Sequence, residues 1–217
     1  CDGMGGMQGG ELASKTAVTT MFDSYVERKP SKESITPDWL RDQFDEADRN
    51  VCRLQDQNGC PLRAGSTVVA AMFWENRLYW GSVGDSVIYY IKKGQIVTLN
   101  KMHNYHLRID EMLQRGELSP ENEAAERARG EALISFLGIG GLPRIETNQQ
   151  PIPMEPGDVL LLASDGLYKS LDRQQIVAIV EESGRNMQIA SRRLCEEAHR
   201  LAVRKQDNTT VVAVMCR

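Results

Sequence analysis

The sequence has 217 residues, 41% apolar and 26% charged, which suits one globular domain and is short for two. A net charge of −4 with no basic block argues against nucleic-acid binding, which rests on a Lys/Arg footprint. No apolar run approaches the ~20 residues of a membrane span, and the five cysteines contain no Cys-x-x-Cys pair, so neither a disulfide framework nor a zinc site is indicated and a reducing, cytoplasmic setting is expected.

The chain opens on Cys1-Asp2-Gly3, which reads as the tail of a strand entering a glycine turn, so native sequence is expected upstream. Residues 10–28 read as a helix, with Glu11 near its N-terminus and Ala13, Ala17 and Met21 on one face. A polar break over 29–34 follows. Thr36-Pro37-Asp38 then signals a second helix, with Thr36 as the cap and Pro37 at the first helical position. Leu40, Phe44, Ala47, Val51 and Leu54 give it a core-facing stripe. Beyond Asn58-Gly59 the period becomes extended. Residues 67–74, 77–83, 87–92 and 95–99 read as strands of an antiparallel meander, turning at Glu75-Asn76 and Lys93-Gly94. Residues 100–130 read as a long charged excursion with helical pieces. Strands return at 145–147 and 159–164, helices at 173–182 and 186–204, and a last strand at 209–215. The order gives a layered α+β domain rather than an alternating parallel one.

Four aspartates lie in turn-like settings: Asp2 before Gly3, Asp85 in Gly84-Asp85-Ser86, Asp165 in Ser164-Asp165-Gly166, and Asp207 before Asn208-Thr209. Taken singly, each reads as a turn-forming Asp. If they converge, all are ionised at neutral pH, since free Asp titrates near ~3.9. Two such charges about 4 Å apart repel by roughly 4 kcal/mol at an effective dielectric near 20. A hard dication relieves that repulsion, and an all-oxygen donor set suits Mg²⁺ or Mn²⁺ better than zinc.

Asp2-Gly3-Met4-Gly5-Gly6 with Gly10-Glu11-Leu12-Ala13-Ser14 resembles the glycine-rich motif of bacterial type 2C (PPM family) metal-dependent protein serine/threonine phosphatases. Gly65-Ser66-Thr67, Val83-Gly84-Asp85-Ser86, Ser164-Asp165-Gly166-Leu167 and Asp207-Asn208-Thr209 resemble the later motifs, in order. The resemblance spans nearly the whole chain. It implies a single phosphatase domain over 1–217 with its first strand missing and a flap at about 100–130. It also implies an αββα four-layer sandwich of two antiparallel sheets flanked by helix pairs. Two Mn²⁺ or Mg²⁺ ions are implied, with Asp2 bridging them, the Gly3 carbonyl on the second, and Asp165 and Asp207 completing the first. A metal-bridging water would then attack the phosphorus of phosphoserine or phosphothreonine in line. Phosphorylated proteins and a cognate Ser/Thr kinase are the implied partners, and a monomer is expected.

The sequence also departs from the family pattern. The acidic second-metal ligand and phosphate-gripping Arg of the family's first strand cannot be placed. Asp85 matches a ligand of a third ion, but its usual acidic partner is replaced by Lys169, which either weakens that ion or pairs with Asp85. Met102-His103 replaces an Asp-His pair, and His103, His106 and His199 are read as surface or loop histidines. These departures keep open a second expectation, a catalytically impaired pseudophosphatase acting as a regulatory binding module. A phosphatase for a partner-switching anti-sigma antagonist is a further reading, which the compact glycine-rich motif fits less well.

Overall fold

The computed structural model describes residues 1–4, 7, 9–28, 36–128, 130–201 and 208–217. Helix α1 (Gly10–Arg28) carries Glu11 in its first turn and buries Ala13 and Ala17. Helix α2 (Pro37–Cys52) begins where Thr36 Oγ1 accepts the Trp39 backbone N–H at 3.1 Å. This cap, with a proline at N1 whose missing N–H leaves no bond unmade, fixes the helix start. Leu40, Phe44, Ala47 and Val51 form its buried stripe.

Strands β1 (Val68–Trp74) and β2 (Arg77–Val83) pair as one hairpin. Strands β3 (Val87–Lys92) and β4 (Gln95–Thr98) pair as a second. Both turns are the expected ones, with Glu75 at φ 54° and Lys93 and Gly94 at φ 50° and 76°. The single meander read from the sequence is corrected, because the two hairpins belong to different sheets. In the first, β2 also pairs with β5 (Glu146–Thr147) and β6 (Ile152–Pro153); in the second, the order is β4-β3-β7-β8, with β7 at Val159–Ala163 and β8 at Val211–Met215. The chain changes sheet at Gly84 (φ 101°), where a Cβ would lie 2.7 Å from the Thr67 side chain.

Three apolar layers separate four layers of structure. Ala13, Ala17, Phe44 and Val51 pack with Val68 and Val83, fixing α1 and α2 to the first sheet. Leu78 and Trp80 meet Ile88 and Leu160 between the sheets. Val87, Tyr89, Ile91, Val159 and Leu161 meet helices α6 (Arg173–Glu182) and α7 (Met187–Leu201) through Ile176, Val180, Leu194 and Ala198. Adjacent residues of β3 and β7 thus enter opposite layers, as the period of two requires. The expected αββα sandwich is the observed architecture.

The 100–130 segment holds helices α3 (Tyr105–Gln114) and α4 (Pro120–Arg127). A short helix not foreseen from the sequence, α5 (Asp165–Ser170), follows β7. Among the described residues no helix is long and apolar enough to cross a membrane.

Candidate active site

The strand register gathers the motifs. Val68 pairs with Val83, Val87 with Ala163, and Ala163 with Val211. Because only three residues join β2 to β3, the start of β1, the 84–86 crossing, the end of β7 and the approach to β8 share one end of the sandwich.

Asp2 reaches that end through its backbone. Its N–H donates to Thr67 Oγ1 at 3.1 Å, and its carbonyl accepts from Thr67 N–H at 2.9 Å and Ser66 Oγ at 3.0 Å. Thr67 Oγ1 lies 2.7 Å from Ser86 Oγ, linking the Asp2 segment to the crossing that carries Asp85. Gly3 pairs with Ser66, and a Cβ there would fall 2.1 Å from the Gly10 carbonyl oxygen. Only glycine lets the chain pass this close to the start of α1.

Asp165, 6% exposed, is the first residue of α5. Its Oδ2 accepts a hydrogen bond from Lys169 Nζ, one turn further along, while its buried Oδ1 has no hydrogen-bond partner. Asp85, 8% exposed, has its pKa pushed up to about 6, chiefly by burial and then by the Asp165 charge, with Lys169 opposing. Burial works against the Lys169 ammonium, but the Asp165 hydrogen bond and charge, together with Asp85 and Glu131, outweigh it and raise its pKa. The ion pair offered by the sequence between Lys169 and Asp85 is therefore corrected: the salt bridge forms with Asp165. Their i,i+4 spacing brings them together only because residues 165–170 form a helix, which the sequence does not signal.

The approach to β8 is stitched to the same strand end. Ser164 N–H donates to the Thr210 carbonyl at 3.1 Å, Ser164 Oγ donates to the Asn208 carbonyl at 3.1 Å, and Thr210 N–H donates to Ser164 Oγ at 2.9 Å. A Cβ on Gly166 would lie 2.5 Å from Thr209 Oγ1. Asp207 itself lies outside the described residues.

Of the two places expected for His103, surface or loop, the structure gives a loop but not the surface. His103 is 3% exposed and clasps the crossing turn. Its N–H donates to the Gly84 carbonyl at 2.8 Å, and its Nδ1 accepts the Gly84 N–H at 3.3 Å, leaving the ring proton on Nε2. Burial, helped by the Arg144 charge, lowers its pKa to about 4. His106 is half-buried near Glu131, and His199 is exposed. Asp48, which sequence reading did not single out, is buried on α2 and accepts the N–H groups of Gly138 (2.7 Å), Gly140 (3.4 Å) and Gly141 (2.7 Å). That loop follows Leu137, whose N–H donates to the Ser66 carbonyl at 2.8 Å, behind Gly3.

Among the described residues no three His, Cys, Asp or Glu side chains gather closely enough to hold a metal. The unpartnered Asp165 oxygen and its buried neighbour Asp85, both carboxylates, nonetheless fit a hard cation.

An αββα sandwich with a strand-end aspartate pair, Asp85 and Asp165, agrees with what family comparison gives: the model of the protein phosphatase 2C family matches residues 1–202. The chain belongs to that family, and it is a protein serine/threonine phosphatase. It is 29% identical over 220 residues to the serine/threonine phosphatase stp of Listeria welshimeri, covering 98% of this chain and 81% of that protein. Its fold matches the S. agalactiae serine/threonine phosphatase with a TM-score of 0.79 at 24% identity, over 98% of this chain and 83% of that one. It also matches the catalytic domain of the phosphatase PstP, solved with two manganese ions, with a TM-score of 0.70 at 23% identity, over 97% and 84%.

Proposed function

We propose that this phosphatase dephosphorylates phosphoserine and phosphothreonine in proteins at the shared strand end, with two divalent cations, Mn²⁺ or Mg²⁺. Asp2, Asp165, Asp207 and the Gly3 carbonyl are assigned as ligands, and Asp85 as a ligand of a weaker third ion only where Lys169 withdraws. The observation that carries this reading is the buried Asp165 carboxylate with one oxygen unpartnered beside a second buried carboxylate. One ammonium, Lys169, offsets only part of the charge of two buried carboxylates, and the rest is costly without a further cation. The two manganese ions of the PstP structure support the choice of metal and the count. When bound, the cations supply the Lewis acidity that activates a water for in-line attack and neutralises phosphoryl charge.

The chain's own part is positioning. Backbone bonds to Ser66 and Thr67 fix the direction from which Asp2 enters, and the glycine at position 3 lets the chain pass against the start of α1. His103 holds the Gly84-Asp85 turn from the 100–130 segment, which we assign to substrate contact. A cytoplasmic monomer acting on phosphoproteins, with a cognate Ser/Thr kinase as partner, fits this reading.

One observation favours a second reading, a catalytically impaired regulatory module: Lys169 already occupies Asp165 Oδ2. Hydrolysis of p-nitrophenyl phosphate and of a phosphothreonine peptide with Mn²⁺ separates the two. Turnover by the wild-type chain is expected, falling by at least about 100-fold in Asp165→Ala, which removes an assigned ligand. No turnover by the wild-type chain, or an unchanged rate in the variant, would count against the catalytic reading.

A further inference from the structure

We propose that Lys169 is a tethered cation that competes with the divalent metal for Asp165 and so sets how tightly the site loads. This rests on the metal-dependent reading above.

Three observations carry it. Asp165 offers one oxygen to Lys169 Nζ and keeps the other buried without a partner. The Asp165 side chain is 9% exposed, so a departing ammonium leaves behind a carboxylate that water reaches poorly. Lys169 is 44% exposed on its side chain, so its own head group is readily hydrated once displaced. The cost of separation falls on the aspartate, and an incoming dication removes that cost. Lys169 therefore departs when another cation arrives, and the free energy of breaking the pair is subtracted from metal binding. The pair sits one turn apart on α5, with the acid on the N-terminal side, the favoured order for an i,i+4 ion pair. Asp85 and Glu131 also act on the ammonium, so its charge serves the acidic group as a whole in the absence of metal.

A merely structural ion pair makes a different prediction: its loss would lower stability equally with and without metal. Mn²⁺ affinity by titration calorimetry and melting temperature, with Mn²⁺ and with chelator, distinguish the two for wild type, Lys169→Met and Lys169→Arg. Lys169→Met is expected to melt lower in chelator, to bind Mn²⁺ about tenfold more tightly, and to gain a larger melting shift from Mn²⁺. Lys169→Arg keeps the charge and is expected to stay near wild type. Equal or weaker Mn²⁺ affinity in Lys169→Met overturns the inference while leaving the metal reading intact. Absence of Mn²⁺ binding in the wild-type chain removes both. The wild-type chain gives a second readout that does not depend on the variant folding, the acylation of Lys169 by an amine-reactive reagent. Mn²⁺ is expected to increase labelling by releasing the ammonium, and labelling indifferent to Mn²⁺ contradicts the competition.

Discussion

His103 shows what a single residue contributes here. Its backbone and ring both bind Gly84, so one side chain fixes the turn that moves the chain from one sheet to the other and aims Asp85. The ring is held neutral: its pKa falls from 6.5 to about 4, through burial first and Arg144 second. The unfolded chain takes up a proton near pH 6.5 that the folded chain refuses until about pH 4. The stabilisation is therefore full above 6.5 and is lost as pH falls towards 4, by on the order of 3 kcal/mol. Asp85 pulls the other way, because its raised pKa favours the folded state at lower pH and that contribution is lost as pH rises through about 6. The histidine contribution is isolated by comparison with His103→Asn, which keeps an acceptor near the Nδ1 position and does not titrate. Urea unfolding of the chelator-treated proteins should show a shallower loss between pH 6.5 and 4 in the variant; parallel curves would mean that His103 titrates normally. Nothing in the sequence around Met102-His103 announced this burial, since it depends on a partner 19 residues away.

At the scale of elements, α2 does two jobs. Its apolar stripe packs on the first sheet, and Asp48 on the same helix holds the 138–141 loop through three glycine N–H groups. That loop backs Ser66, which holds the Asp2 and Gly3 backbone, so α2 is coupled to the site at second hand. Asp48→Ala leaves those N–H groups without their acceptor in a partly buried setting. A loss of about 3 kcal/mol is expected in urea unfolding, within the range for orphaned buried donors; a loss under about 0.5 kcal/mol would show that the loop is held otherwise. Elements with strong local signals were legible: α1 and α6 have the bounds read from periodicity, and α2 starts at its Thr36-Pro37 signature. Two of the shortest elements were not. α5 spans six residues and β6 two, and each exists because of what it packs against. Missing α5 also hid the Lys169–Asp165 pair.

Over the whole molecule, the αββα layering follows from the alternation along β3 and β7, whose neighbouring residues enter different cores. The sequence carried that alternation, but it could not say that β2 and β3 belong to different sheets, because a three-residue connection looks the same in a hairpin. The sheet change is what brings Asp85 and Asp165 to one end with Asp2. The family motifs identified the candidate aspartates; strand register brings the segments that carry Asp85 and Asp165 together, pairing residues up to 76 positions apart, as in Val87 with Ala163. In the proposed site, Asp2, Asp165 and Asp207 surround bound dications. A crystal of this chain soaked in Mn²⁺, measured on the high-energy side of the manganese absorption edge, tests it most directly. Anomalous peaks are expected within coordination distance of the Asp2, Asp165 and Asp207 carboxylates. Peaks confined to other surface carboxylates, or a fully soaked crystal with none at this strand end, would contradict it.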